Sequence, residues 1–321
     1  MKQSYVRDLT PDHPVRSTFL VQSKERKIAS NGSAYLDLEL RDSSGSIRAK
    51  LWDCDRLHPD FAADDIVQVD GAVEEYRGAL QLKIRKIAKS PDADIDLRDY
   101  FPRSAREPEE MFAALVARVQ RAAEGPVRQL LTSVLEDPAI ARGMKLAPAA
   151  TSFHHAFLGG LLEHILSLVE LADSVCDHYP SLNRDLVLAG IVLHDLGKTE
   201  ELGYERGFHY TTRGQLVGHI SIGLEIAQTK MRAIPDFPDS LRARIEHIIL
   251  SHHGKLEFGS PKEPAFPEAL VVHYLDDMDS KLESIRAQYE ADAEREGDFT
   301  SRNRALGREL LKPMPDGENR K

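Results

Sequence analysis

Two spacings of apolar residues divide the chain. Residues 34–40 and 46–52 alternate apolar and polar positions, and a turn sequence at 42–45 connects them. Alternation with a period of two is typical of half-buried β-strands. Further strand-like runs lie at 18–21, 66–73 and 80–85. Five short strands within about 75 residues predict a small closed β-barrel of the OB type.

After this region the apolar residues recur with the three- and four-residue spacing of amphipathic helices. The predicted helical stretches are 107–135, 159–178, 186–194, 215–231, 240–250 and 267–291. The expected fold class is multi-domain α and β, with the OB-type barrel first and an all-α domain second. The predicted division is a barrel at 1–95, a linker and helical connector at 96–149, a helical domain at 150–312 and a polar tail at 313–321.

The composition is that of an ordinary globular protein, with 41% hydrophobic and 29% charged residues in 321. The net charge is −10, and residues 1–95 carry 15 Lys/Arg against 16 Asp/Glu, so the acidity lies in the helical part. Overall charge therefore does not attract nucleic acid, and such binding requires a local basic patch or bound metal.

The chain shows no sign of export or of a membrane segment. The two cysteines, Cys54 and Cys176, lie in different predicted domains, which argues against a disulfide framework and favours a reducing cytoplasm. Neither an N-terminal signal sequence nor an apolar run of about 18 residues is present. We therefore expect a cytoplasmic protein.

Histidine and aspartate residues cluster in the second half, at the ends or on the faces of predicted helices. The candidates are His164, His194, Asp195, His219, His252, His253 and Asp276. Each alone could be a helix cap, a core histidine or a solvated charge. Together they form a ligand set for Zn²⁺, Mn²⁺, Fe²⁺ or Ni²⁺, and such ions activate water and bind phosphate oxygens. The pattern predicts a metal-dependent phosphohydrolase.

The dyad His194-Asp195 is the most specific part of this pattern. It directly follows the apolar run 187–193, which is expected to be buried. Two polar side chains at the end of a buried helix would destabilise the fold unless each had a hydrogen-bond or metal partner. A bound metal would satisfy both. Lys198, three residues later, is a candidate to pair with the scissile phosphate, or a lysine that complements the helix dipole.

His164, the dyad with Gly197-Lys198, and Asp276 resemble the H…HD…D pattern of the HD-domain superfamily of metal-dependent phosphohydrolases. The added His219 and His252-His253 resemble the members that hold two metals. The resemblance implies that Asp195 bridges the ions. It assigns His164, His194 and Asp276 to one ion, and His219 with His252-His253 to the other. Which of His252 and His253 is the ligand stays open.

A narrower resemblance rests on the stretch 153–164, FHHAFLGGLLEH, and on the strand-rich front at 35–38, 49–53 and 73–82. These segments resemble YhaM-type 3′–5′ exoribonucleases over about residues 5–310, with an OB-fold domain before an HD domain. The resemblance implies hydrolysis of single-stranded RNA to nucleoside 5′-monophosphates, with DNA as a further candidate substrate. It implies two divalent ions, with Mn²⁺ favoured and Fe²⁺, Zn²⁺, Co²⁺ or Ni²⁺ compatible, and a homo-oligomer as a candidate assembly.

The resemblance also favours His155 as a contact to the substrate phosphate, although capping of the following helix is the alternative. The predicted catalytic residues are thus Asp195, Lys198 and His155. An OB barrel offers single-stranded nucleic acid a groove with basic and aromatic side chains. The candidates for this groove are Arg48, Lys50, Trp52, Tyr76, Arg77, Lys83 and Arg85. The alternatives are that Trp52 is a core residue and that the basic residues form a solvated strand face.

Two rival functions remain open. One is a phosphodiesterase or phosphatase for nucleotides or cyclic dinucleotides. The acidic charge favours such a small substrate, and the absence of a Gly-Tyr-Pro motif near His252-His253 opposes the cyclic-dinucleotide version. The other is a non-catalytic nucleic-acid-binding protein with a structural metal, which the apparently intact ligand set opposes.

Overall fold

The computed structural model describes residues 2–52, 54–57, 60–76, 78–91, 95–101, 104, 106–122, 125–150, 157–203 and 209–313. The chain separates into two compact units, with the change from the first to the second after residue 103. Within the described residues, no helix has both the length and the apolar character needed to cross a membrane.

The first unit is a closed five-stranded barrel, which confirms the predicted OB-type fold. Its strands are β1 (Pro14–Ile28), β2 (Ala34–Asp42), β3 (Gly45–Trp52), β4 (Ile66–Tyr76) and β5 (Ala79–Lys89), with a short helix α1 (Cys54–Leu57) after β3. The strand order is β1-β2-β3-β5-β4, and β1 closes the barrel against β4. The β3–β5 pair is parallel and the other pairs are antiparallel.

The alternating positions divide the barrel into an apolar interior and a polar exterior. Phe19, Leu38, Leu40, Leu51 and Leu82 are fully buried in the interior. Strand β3 alternates buried and outward residues, so its basic side chains and its tryptophan point away from the core. Strand β1 is longer than the predicted run 18–21 because its exposed half pairs with β2 through backbone hydrogen bonds, which need no apolar side chains.

The second unit is helical. Its helices are α2 (Pro108–Ala122), α3 (Gly125–Leu135), α4 (Pro138–Leu146), α5 (Gly160–His178), α6 (Arg184–Leu193), α7 (Lys198–Glu201), α8 (Thr212–Val217), α9 (His219–Ala233), α10 (Asp239–Ser251) and α11 (Pro267–Ala291). A two-residue strand pair, β6 (Leu202–Gly203) and β7 (His209–Tyr210), lies between α7 and α8.

Helix α6 is central to this unit and packs against α5, α10 and α11. Its residues Leu186–Leu193 are all buried. The predicted single helix over 215–231 is wrong, because the chain breaks at Gly218, whose φ of 76° ends α8. As a result, His219 becomes the first residue of α9.

Candidate metal centre and nucleic-acid face

Five helices bring the predicted ligand residues to one place. His164 lies on α5, His194 and Asp195 follow α6, and Asp276 lies on α11; their ligand atoms are all within 4.8 Å of one another. A second group consists of His219 at the start of α9 and His252 and His253 after α10, within the same limit.

Asp195 lies between the two groups. Its Oδ2 is 3.3 Å from Nε2 of His194 and 4.0 Å from Nε2 of His164. Its Oδ1 is 3.5 Å from Nε2 of His219 and 3.7 Å from Nε2 of His252. The two oxygens of one carboxylate therefore face two different sets of imidazoles.

The backbone orients three of the imidazoles. Nδ1 of His194 lies 2.8 Å from the carbonyl oxygen of Ile191, and Nδ1 of His252 lies 2.8 Å from that of Ile249. Nδ1 of His253 lies 3.0 Å from the carbonyl oxygen of Phe258. Because a carbonyl oxygen only accepts hydrogen bonds, each Nδ1 carries the proton and each Nε2 keeps its lone pair for a ligand.

Two carboxylates orient the other imidazoles. Oε1 of Glu201 is 3.1 Å from Nδ1 of His219 and also accepts a hydrogen bond from its backbone N–H. Oδ2 of Asp279 is 2.7 Å from Nδ1 of His164, and Ser167 donates its hydroxyl to the same carboxylate. Partners of this kind typically fix the tautomer of metal-binding histidines.

Glu201 and Asp279 are not among the site residues predicted from the sequence. Asp279 lies one helical turn after Asp276 on α11, and this spacing is a signal that could have identified it. No pattern along the chain identifies Glu201, which reaches His219 only through the fold.

Gly197 allows Asp195 and His219 to lie close to each other. A Cβ at Gly197 would overlap the carbonyl oxygen of His219 and lie 2.6 Å from the backbone nitrogen of Gly223. Only glycine therefore lets the turn after the dyad pack directly against the first turn of α9.

The polar atoms of the cluster test whether a metal fits. Nε2 of His194, His219 and His252, and Oδ1 of Asp195, are buried and have no hydrogen-bond partner among the described residues. Leaving such an atom unsatisfied costs about 1–3 kcal/mol. Imidazole nitrogen and carboxylate oxygen are ligands for Mn²⁺, Fe²⁺ and Zn²⁺, so the residues fit a divalent metal centre.

The electrostatics keep the carboxylates ionised. Burial alone would raise the pKa of Asp195, but Lys198, with Nζ 2.6 Å from Oδ2, and His194 hold it well below its usual range. Burial opposes a low pKa at Asp276 as well, and His164, 3.2 Å away, lowers it.

The imidazoles differ in their affinity for protons. Burial would lower the pKa of His164, but Asp276 and Asp279 raise it to about 9. Burial lowers the pKa of His252 well below its usual value, and it lowers that of His253 too. Metal ligands must be neutral imidazoles and ionised carboxylates, so His164 has to lose a proton that Asp276 and Asp279 stabilise.

A cavity of about 270 Å³ opens beside the cluster. Its walls include Lys198, His252, His253 and Asp276, together with the exposed ring of Phe258. The candidate ligands and a lysine ammonium thus line a space in which a phosphate group can be held.

The barrel carries an aromatic and basic cluster on its outer surface. Nζ of Lys50 lies 5.4 Å from the ring centroid of Tyr35, 5.9 Å from that of Trp52 and 5.2 Å from that of Tyr76. The rings of Tyr35 and Trp52 are 4.8 Å apart. Trp52 is 36% exposed, so it is an outward residue rather than a core residue.

Tyr35 was not among the sequence candidates, although its cross-strand register with Trp52 places the two rings side by side. Lys83 is the register partner of Lys50 across the β3–β5 pair. Arg48 also points outward from β3. Arg85 forms an ion pair with Asp70, with 2.8 Å between Nη2 and Oδ1. Two predicted residues, Arg77 and His155, lie outside the described residues.

Comparisons with known proteins identify both units. An OB-fold nucleic acid binding domain matches residues 20–89, and an HD domain matches residues 161–281. The 3′–5′ exoribonuclease YhaM of Bacillus velezensis is 40% identical over 92% of this chain and 93% of its own length. YhaM of Bacillus subtilis is 39% identical with the same coverage, and that of a Geobacillus species is 37% identical over 92% of this chain and 90% of its own. This chain belongs to the YhaM family.

Membership in the YhaM family confirms the predicted relationship and the order of an OB-fold before an HD domain. It also confirms the predicted class of enzyme, a metal-dependent hydrolase. The HD domain implies dependence on divalent metal, and the His/Asp clusters lie within the matched range.

Proposed function

We propose that this chain is a 3′–5′ exoribonuclease that hydrolyses single-stranded RNA to nucleoside 5′-monophosphates at the Asp195 cluster. The observation that supports this most directly is the Asp195 carboxylate, whose two oxygens face separate sets of buried imidazoles. Its relatives named 3′–5′ exoribonuclease match 92% of the chain, so both units of the enzyme are present here.

The cluster provides ligands for two divalent ions. His164, His194 and Asp276 would hold one ion, and the group His219, His252 and His253 would hold the other. Asp195 would be shared between them. When bound, such ions lower the pKa of water and stabilise the charge that develops on phosphate oxygens. Mn²⁺ is the favoured metal because of the family resemblance, and the ligand set also accepts Fe²⁺, Zn²⁺, Co²⁺ or Ni²⁺.

The protein's own residues then hold the substrate. Lys198 lines the cavity and its ammonium would neutralise a non-bridging phosphate oxygen. Glu201 and Asp279 keep Nε2 of His219 and His164 directed into the cluster. We assign a phosphate contact to His155 from the family resemblance alone.

The barrel would bind the single-stranded part of the RNA. Base–aromatic stacking and basic side chains along the backbone are the usual means by which OB folds do this. Tyr35, Trp52 and Tyr76 supply the rings, and Lys50, Lys83 and Arg48 supply the charge. Arg77 and Arg85 remain candidates for the same role. Binding of single-stranded DNA, assembly as a homo-oligomer and a cytoplasmic location stay predictions.

A 5′-labelled single-stranded RNA tests the proposal. With metal-stripped protein we expect no change, and with added Mn²⁺ we expect a ladder that shortens from the 3′ end. Asp195→Asn should abolish hydrolysis and keep RNA binding. Asp239→Asn is the matched control, because this carboxylate is 96% exposed at the start of α10.

RNA that stays intact with every metal would contradict the proposal and direct the search to nucleotides and cyclic dinucleotides. Binding of RNA by the unaltered protein without hydrolysis under any metal would instead favour a non-catalytic nucleic-acid-binding protein.

A further inference from the structure

A short 3-10 turn, Leu256–Phe258, places an exposed aromatic ring beside the metal-site cavity. Phe258 is 56% exposed and lines the same cavity as Lys198, His252 and Asp276. More than half of this apolar ring stays in contact with water in the isolated chain, which is unfavourable until a ligand covers it. Its exposure next to candidate catalytic groups points to a ligand with an apolar face.

The turn is fixed to the end of α10. The carbonyl oxygen of Phe258 accepts the hydrogen bond from Nδ1 of His253 at 3.0 Å. The hydroxyl of Ser260 donates to the carbonyl oxygen of Leu250 at 3.0 Å. The same short segment thus orients a candidate metal ligand and carries the ring, so the position of the ring relative to the cluster is defined.

The ammonium group of Lys255 lies near the ring of Phe258. Nζ of Lys255 lies 5.4 Å from the ring centroid of Phe258. An exposed ring beside an ammonium group is the combination that single-stranded nucleic acid binds, through a base on the ring and a phosphate near the charge. The cavity also limits what fits, because about 270 Å³ accommodates a small group rather than a folded structure.

We propose that Phe258 is a stacking platform for the nucleobase of the 3′-terminal nucleotide. This inference rests on the proposed exoribonuclease function, which requires the terminal phosphodiester to lie against the Asp195 cluster. The base attached next to that phosphate then lies within reach of the cavity wall. A phenylalanine ring stacks on every base, so this subsite would position the terminal nucleotide without selecting a sequence.

The test compares two RNAs that differ only in the last residue, which is an ordinary nucleotide in one and an abasic ribose in the other. Stacking contributes about 1–3 kcal/mol per base, so removal of the base should lower kcat/KM of the unaltered enzyme by about 5- to 150-fold. Phe258→Ala should lower kcat/KM on the ordinary RNA by a similar factor. On the abasic RNA, Phe258→Ala and the unaltered enzyme should be equal.

Two further variants sharpen the comparison. Phe258→Trp keeps a stacking surface and should retain the preference for the ordinary RNA. Leu256→Ala removes another exposed apolar side chain, 64% exposed in the same turn and absent from the cavity wall, and should behave like the unaltered enzyme. Metal content is measured for every variant, because the backbone of Phe258 orients His253.

The outcomes of these measurements distinguish failure of the stacking role from failure of the proposed function. If Phe258→Ala loses the same factor on both RNAs, or if it loses metal, the stacking role is wrong. If the unaltered enzyme does not distinguish the two RNAs, the subsite is also wrong. If the unaltered enzyme degrades no RNA with any metal, the proposed function itself fails, and this outcome is distinct from the others.

Discussion

The proton on His164 leads to a quantitative prediction about metal binding. In the metal-free protein, Asp276 and Asp279 raise the pKa of this imidazole to about 9, against the opposing effect of burial. A metal ligand must be deprotonated, so binding displaces this proton at neutral pH. The pKa values of His252 and His253 are lowered, so neither imidazole carries a proton that metal binding would have to displace in the alkaline range.

The magnitude follows from the pKa. Between pH 7.5 and 8.5 the fraction of deprotonated His164 rises about eightfold for a pKa of about 9, which corresponds to about 1 kcal/mol. Metal affinity should therefore rise by this factor.

The stability of the metal-free protein changes with pH in the opposite direction. The raised pKa of His164 stabilises the fold fully below pH 6.5, and this contribution is lost as the pH rises through about 9.

Competition with a chelator of known pH dependence measures the affinity, and thermal unfolding of the metal-free protein measures the stability. Asp279→Asn should flatten the pH dependence, because the lost carboxylate no longer holds the proton. Glu290→Gln, an exposed carboxylate on the same helix, should keep it. If the metal affinity of the unaltered protein is unchanged between pH 7.5 and 8.5, metal binding does not displace a proton from His164.

Three other substitutions test the site and the barrel. Glu201→Gln removes the carboxylate that orients His219, so metal titration should show an affinity about 10- to 100-fold lower. The control is Glu200→Gln, which changes an exposed neighbouring carboxylate and should leave the metal affinity unchanged. Trp52→Ala should weaken single-stranded RNA binding by about 1–3 kcal/mol in fluorescence anisotropy, and unchanged binding would exclude this face. Gly197→Ala should prevent assembly of the metal centre because its Cβ overlaps the carbonyl oxygen of His219, so wild-type metal binding by this variant would contradict the packing described.

The barrel could be predicted because alternation along a strand determines which side chains face its interior. Leu38 and Leu40 on β2 stand two residues apart, as do Ile47, Ala49 and Leu51 on β3, and all five lie in the core. The far half of β1 could not be predicted in this way, since it is polar and pairs only through its backbone. Tyr35 was missed for a related reason, because its proximity to Trp52 depends on cross-strand register.

The ligand residues could be proposed from sequence because polar side chains at the end of a buried helix need partners. His194 and Asp195 follow α6, whose apolar residues are all buried, and the fold brings the remaining candidates to them. Spacing along α11 marks Asp279 as a candidate, but the roles of Asp279 and Glu201 could not be deduced from the sequence, because they depend on which ring nitrogen each carboxylate meets. Glu201 and Asp279 acquire that role only when α7, α9, α5 and α11 are in place.

In the proposed function, the Asp195 cluster removes nucleotides from the 3′ end of RNA. The most direct measurement follows RNA that carries its label in the 3′-terminal nucleotide. We expect that the label is released first as a nucleoside 5′-monophosphate, that release requires added metal, and that His194→Ala abolishes it. Labelled oligonucleotide fragments, or continued release by His194→Ala without metal, would contradict the proposed function.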